Sequence, residues 1–307
     1  MLLRQRLVCA AAPLAFSPLR SARFLPCAQV WRSFSSGEGE SNGDGAGGRV
    51  RADLAPYFAP RHPANNVPES ILGKVGRRLH LQKHHPLNII KTRIEEYCQA
   101  HAQQHSFAFQ IFDDLSPVVS TTACFDDLRV GPEHVSRLPS DTYYLDPHTV
   151  LRTHTSAHQT ALMRQGVGAF LCCGDVYRRD EIDASHYPVF HQMEGVRVYT
   201  AEEVQALVLS DSGTNGTSNS TSNSISNSNG DNTLTSSTPH AVRRAIEAEL
   251  KGLLTGLALH LFGDVQMRWR DDYFPFTEPS FELEIFFNGD WLEVLGGTLW
   301  PCEPLTL

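Results

Sequence analysis

Apolar and polar positions alternate most clearly in the middle of the chain. Val167 to Tyr177 is a short, mostly apolar run without proline, and Phe190 to Tyr199 alternates, so both are read as strands. About a dozen residues separate them, which predicts a hairpin whose loop is long for a mere connection, and such loops are usually functional. Strand periodicity places Gln192 and Glu194 on one face and Met193 on the other.

Helical periodicity flanks this hairpin. Leu87, Ile90, Ile94 and Tyr97 form one stripe on a helix predicted to begin near Pro86, a residue tolerated in a first turn. Thr238-Pro239 reads as N-cap and first residue of a second helix, along which Val242, Ile246, Leu250, Leu253, Leu257 and Leu261 share a face. Leu151 to Gln159 opens a third, with Ser156 as its N-cap and Leu162 starting its apolar side. Phe109 to Thr122 and Asp141 to Leu145 read as short strands and turns at a sheet rim. Val265 to Trp269 is a strand by alternation. In the next strand Phe281, Leu283, Ile285 and Phe287 face one side and Glu282 and Glu284 the other, before Asn288-Gly289-Asp290 turns the chain into Trp291 to Gly296. Helices beside hairpin-connected strands make the fold class α+β.

Composition adds boundaries. The chain has 307 residues and a formal net charge of −8, which argues against a globally basic nucleic-acid coat. Seven cysteines occur without a CxxC pair, the mark of a reduced compartment rather than a disulfide framework. No apolar run approaches the roughly 20 residues of a membrane span. Residues 1–37 contain Arg4, Arg6, Arg20, Arg23 and Arg32 and no acidic residue, the composition of a mitochondrial transit peptide. A flexible leader is expected over 38–64 and a catalytic domain over 65–297. Within it, residues 210–238 are almost wholly Ser, Asn, Thr, Gly and Asp and read as a disordered insertion, because they have little apolar area to offset chain entropy.

The candidate chemistry concentrates on the first hairpin. Arg178 and Arg179 enter its loop and Gln192 and Glu194 leave it, so the site carries both charge signs and suits a phosphate at one end and an ammonium at the other. The helix start at Ser156 offers free N–H groups to an anion. His154 and His158 taken singly fit hydrogen-bonded structural roles as well as ligand contacts. Phe274-Pro275-Phe276 holds two rings in a defined relation, either as a core plug or as a pocket wall. Glu293 stands among apolar neighbours, where an unpaired carboxylate is costly.

These residues also carry a resemblance. Tyr177-Arg178-Arg179-Asp180, then Asp183, His186 and Pro188, and Phe190-His191-Gln192 with Glu194, resemble motif 2 of the class II aminoacyl-tRNA synthetases in its phenylalanyl form. His154-Thr155-Ser156-Ala157-His158-Gln159 is similar to that family's amino-acid-binding segment, His85-Pro86-Leu87 to its motif 1 region, and Phe274-Pro275-Phe276-Thr277-Glu278-Pro279-Ser280 to its aromatic signature. The likeness covers about Asn65 to Gly296, interrupted only by the insertion.

The resemblance implies an antiparallel sheet flanked by helices that binds ATP with Mg2+, activates phenylalanine as its adenylate and transfers it to mitochondrial tRNA(Phe). It implies Arg178 as the catalytic residue, gripping the α-phosphate. Gln192 and Glu194 would hold the substrate's amino group, with Met193 beside them. Ser156 and His158 would approach the amino acid's backbone end, with Ala157 and Gln159 adjacent. Ser185, His186 and Tyr187 would close over the nucleotide, Phe274 and Phe276 would meet the substrate ring, and Glu293 would find a cationic partner. A monomer in the mitochondrial matrix, without a membrane, is expected.

The likeness ends at Gly296 or Gly297, where the family continues into a third motif carrying a second arginine. Residues 298–307 read as an atypical tail, so the expectation is a catalytic domain incomplete at its C-terminus, poorly folded alone and inactive. Two alternatives accompany this reading. One is a non-catalytic form that binds phenylalanine, ATP or a partner without turnover. The other is a class II ligase or amide synthetase with an aromatic-poor pocket, against which Phe274-Pro275-Phe276 speaks.

Overall fold

The computed structural model describes residues 7–15, 61–182, 187–214, 239–272 and 279–299. Strand β1 (Leu7–Ala15) precedes a short helix α1 (Glu69–Leu72) and the long helix α2 (Pro86–Gln104). Pro86 occupies the first helical position, and His85 caps the helix by accepting a hydrogen bond from the Leu87 N–H at 3.2 Å. The rim follows as β2 (Gln110–Phe112), β3 (Val118–Ser120), α3 (Thr121–Cys124), β4 (Tyr144–Asp146) and β5 (Thr149–Leu151). Next come α4 (Gln159–Arg164), then β6 (Ala169–Tyr177) and β7 (Val189–Tyr199), the expected hairpin with its long loop. Helices α5 (Ala201–Thr214) and α6 (Pro239–Phe262) lead to β8 (Met267–Asp272), β9 (Ser280–Phe287) and β10 (Asp290–Thr298).

Three ladders result, ordered β1-β7-β6-β2, β10-β9-β8 and β3-β5-β4. All their pairs are antiparallel except β2, which runs parallel to β6 and covers only Phe170 to Cys172 of it. Asn288 and Gly289 both have positive φ, as the two-residue turn between β9 and β10 requires.

Helices α2 and α6 cover one face of the β6–β7 hairpin. Ile94 and Cys98 meet Ile246, Leu250, Leu254 and Leu257, and together they pack on Leu171, Cys173 and Met193. Burying a leucine or isoleucine of this kind contributes about 1.5–3 kcal/mol. The two helices cross closely at Gly256, where a side chain would collide with the Tyr97 hydroxyl. The predicted α2 stripe is rotated slightly in the fold: Lys91 is buried beside Ile94, tolerated because it pairs with Glu95 at 2.8 Å and Asp113 at 2.7 Å.

Several boundaries differ from the sequence reading. Helix α5 continues to Thr214, into the segment expected to be a disordered insertion; residues 215–238 lie outside the described residues. Strand β10 runs through Thr298, and Leu299 is buried, so the expected boundary at 297 falls inside a strand. Strand β8 begins at Met267 rather than Val265. Most of the expected transit peptide and leader lies outside the described residues, but β1 pairs with β7 over Leu7 to Ala15, a strand that the arginine-based reading of this region had no means to find. Among the described residues no helix is long and apolar enough to cross a membrane.

Candidate functional site

On the hairpin face turned away from α2 and α6, Cys172 stands opposite Glu194 and Gly174 opposite Gln192. The alternation expected of β7 is therefore realised: Gln192 and Glu194 share this face, and Met193 is in the helix-side core. A 3-10 turn, Thr155–His158, crosses above them. The Ser156 hydroxyl donates to Glu194 Oε2 at 2.7 Å and the Gln159 amide to the same oxygen at 3.1 Å. Ser156 is therefore not the expected N-cap. It lies inside the 3-10 turn, and its hydroxyl is committed to Glu194 across 38 positions of sequence.

Glu194 is 0 % exposed, and its other oxygen, Oε1, has no hydrogen-bond partner. Burial pushes its pKa up to about 7, although hydrogen bonds from Ser156, Gln159 and Thr155 and the Arg152 charge pull the other way. Gln192 is also buried, with an unpartnered Oε1. Two adjacent acceptors left open on one buried face cost free energy in the empty protein. A donor-rich cation would satisfy both.

Arg178 supplies the opposite charge. Its backbone N–H donates to Pro188 O at 3.0 Å across the hairpin mouth, its Nε donates to Thr153 O at 3.1 Å, and its guanidinium lies 5.1 Å from the centre of the Phe190 ring. Burial lowers its pKa from the ordinary value, though far too little to discharge it. No described carboxylate forms an ion pair with it, which leaves the remaining guanidinium nitrogens for an anion. His154 follows Thr153 just ahead of the 3-10 turn; burial and then the Arg178 charge push its pKa down to about 4, and its Nδ1 is buried without a partner. The resemblance assigns a substrate contact to His158 and none to His154. Nothing in their spacing separates them, and their different surroundings arise only in the folded turn.

The remaining expected residues divide. His158 closes the 3-10 turn, and Gln159 opens α4 with its amide on Glu194. Ala157 packs into an apolar cluster with Cys124, Phe125 and Val150, so it shapes the turn from below. Tyr187 is exposed at the hairpin mouth, with Lys74 Nζ 5.8 Å from its ring centre. Glu293 lies on β10, paired in register with Glu284; burial and then the charges of Asp272 and Glu284 raise its pKa. Glu284, on the face of β9 opposite Leu283 and Ile285, is not left to solvent. It is buried and held by Arg268 and Arg270, the latter at 3.1 Å. Ser185, His186, Phe274 and Phe276 lie outside the described residues.

Comparison with known proteins fits this geometry. The family model described as "tRNA synthetases class II core domain (F)" matches residues 72–210 and 242–301, leaving out the stretch where the Ser/Asn-rich segment falls. The chain is 50% identical over 234 residues to the chloroplastic/mitochondrial phenylalanine–tRNA ligase of Arabidopsis thaliana, covering 76% of this chain and 47% of that protein. It is 46% identical over 255 residues to the mitochondrial phenylalanine–tRNA ligase of Rattus norvegicus, covering 82% and 52%. With the corresponding Dictyostelium discoideum protein the identity is 45% over 232 residues, covering 75% and 48%. The chain thus spans about half the length of the curated relatives it matches. A family match over more than half of the chain, on segments that include the turn, the hairpin and the strands just described, means that it belongs to the class II tRNA synthetase core domain family.

Proposed function

We infer that this chain carries the amino-acid-activating centre of a mitochondrial phenylalanine–tRNA ligase. The observation that carries the reading is the buried Glu194 with one oxygen closed by Ser156 and Gln159 and the other open beside the open Gln192 oxygen. An α-ammonium group fits that pair, and Arg178 provides for the phosphate end. The names of the relatives supply phenylalanine, tRNA and the mitochondrion.

In the proposed reaction a phenylalanine carboxylate oxygen attacks the α-phosphorus of ATP, the bond to the β-phosphate oxygen breaks, and pyrophosphate leaves. The nucleophile is already ionised at neutral pH, so no general base is required and positioning with charge stabilisation supplies the catalysis. Arg178 holds the α-phosphate and meets the charge that grows in the transition state; Glu194 and Gln192 hold the ammonium, and Ser156 and Gln159 keep the Glu194 carboxylate in place. No cluster of three metal-ligating side chains occurs among the described residues. Mg2+ bound with the nucleotide would supply neutralisation of the phosphate charge. Acyl transfer to the terminal ribose of tRNA(Phe) completes the proposed activity, in the mitochondrial matrix.

Phenylalanine-dependent ATP–pyrophosphate exchange by the chain tests activation, and calorimetry with phenylalanine and with 3-phenylpropionate, which lacks the ammonium, tests the site. Although the sequence reading expects an inactive domain, the assembled site leads us to expect exchange specific to phenylalanine, with 3-phenylpropionate bound at least tenfold more weakly; no exchange at all would leave the inactive form standing. Equal binding of the two would remove the Glu194 assignment, and exchange with a different amino acid would remove the phenylalanine assignment.

A further inference from the structure

Beneath the turn lies a charged side chain that the reading so far leaves without a role. Arg152 follows β5, is 1 % exposed, and takes over the β6 edge where β2 stops. Its backbone carbonyl accepts from the Tyr177 N–H at 2.9 Å, and its Nε donates to Asp175 O at 2.8 Å. Its Nη2 donates to Asp175 Oδ1 at 3.0 Å, while the other Asp175 oxygen accepts from the Tyr177 hydroxyl. Gly174 makes room for this arrangement, since a Cβ there would fall inside the guanidinium. Asp175 supplies the countercharge a buried guanidinium needs.

Of the two Nη1 hydrogens, one goes to Leu115 O at 3.3 Å and the other is aimed at the site. Arg152 Nη1 donates to His158 Nε2 at 2.9 Å. A guanidinium has five N–H donors and no acceptor, so the ring nitrogen facing it must be unprotonated. His158 therefore carries its single proton on Nδ1.

We propose that Arg152 is a positioning residue of the amino-acid site: it locks His158 as the neutral Nδ1–H form and so presents one oriented N–H donor for a carboxylate oxygen. This rests on the reading that the turn holds the backbone end of an amino acid. Because a nearby positive charge opposes a second proton, the donor count at His158 stays constant across the working pH range. The titratable and charged groups around it are Arg152 and His154, with Asp175 and Tyr177 acting through Arg152. Burial and then the Arg152 charge push the His158 pKa down to about 3, in keeping with this arrangement. A neutral donor also avoids a fixed cation beside the substrate ammonium.

The test combines two readouts on the full chain. Two-bond proton–nitrogen spectra of the 15N-histidine-labelled protein between pH 5 and 8 should show His158, identified by its loss in His158→Asn, as a non-titrating ring with Nε2 unprotonated. In Arg152→Lys, which retains charge but loses the forked contacts, burial should keep the His158 ring neutral while a detectable fraction of it shifts its proton to Nε2. A wild-type ring protonated on Nε2, or one that titrates normally, would overturn the proposal. If Arg152→Lys does not fold, a second pair decides. The Asn amide at 158 stands near the Nδ1 position and the Gln amide near Nε2, so His158→Gln should weaken phenylalanine binding at least fivefold more than His158→Asn. Equal weakening would sink the donor role. A chain that binds no phenylalanine overturns the functional reading, whereas one that binds it with Nε2 protonated overturns only the Arg152 assignment.

Discussion

Two buried carboxylates on strands of different ladders have opposite fates. Glu194 on β7 and Glu284 on β9 are both nearly inaccessible, at 0 % and 6 %. Glu284 is closed on both oxygens by Arg268 and Arg270; burial alone would raise its pKa, but those two partners outweigh it and hold the group below the ordinary carboxylate range. Glu194 is hydrogen-bonded only by neutral side chains and feels the Arg152 charge without an ion pair, and burial wins. The contrast separates structure from function. A carboxylate whose countercharge is built in stabilises a sheet, whereas one whose countercharge is left out is prepared for a cationic ligand at a cost to the empty protein.

The strongest way to break this comparison is at the other end of the site. Arg178→Ala should reduce phenylalanine-dependent exchange by on the order of 100- to 1000-fold, the loss expected for one transition-state donor. Phenylalanine affinity should change only a few-fold, and calorimetry showing equal loss of both would merge two ends that the comparison treats as distinct.

Next comes the pH dependence of stability in the ligand-free chain. The folded pKa of Glu194, about 7, exceeds its unfolded value, so its stabilising contribution is full below about 4.5 and disappears as pH rises through 7. Wild type should therefore lose up to about 3 kcal/mol relative to Glu194→Gln between those pH values. Parallel denaturation curves across the range would contradict the raised pKa. His154 and His158, both with lowered pKa, titrate in both proteins and cancel in the difference.

Glu194→Gln should also weaken phenylalanine binding by roughly tenfold or more, as removal of a charged hydrogen bond does. An unchanged dissociation constant would place the ammonium elsewhere. The smallest effect is expected at the closed carboxylate: Glu284→Gln should cost about 1 kcal/mol of stability, since its arginine partners are themselves half-exposed, and leave phenylalanine affinity alone. A matching drop in affinity there would show that the two carboxylates belong to one site after all.

Local pattern was enough to read the β6–β7 hairpin, the start of α2 at Pro86, the shared face of Gln192 and Glu194 and the turn at Asn288-Gly289, because each depends on periodicity or on the backbone preference of one or two residues. The ordered identities around Arg178 and His154 were enough for the family. Periodicity could not say which acidic residue on a strand would be paired. Alternation put Glu282 and Glu284 on one face of β9 with no partner for either, and only the lateral arrival of Arg268 and Arg270 from β8 closed Glu284. Ser156 had the chemistry of a helix cap, yet the fold gave it Glu194 as a partner from far along the chain. Arg152 offered no signal beyond being an arginine; its role exists only where β2 stops short, Gly174 leaves space and His158 comes within reach. Short-range spacing therefore determined the elements and one face of the site, while long-range packing decided which polar groups are satisfied and which stay open, since hydrogen-bond partners and desolvation depend on neighbours in space rather than in sequence.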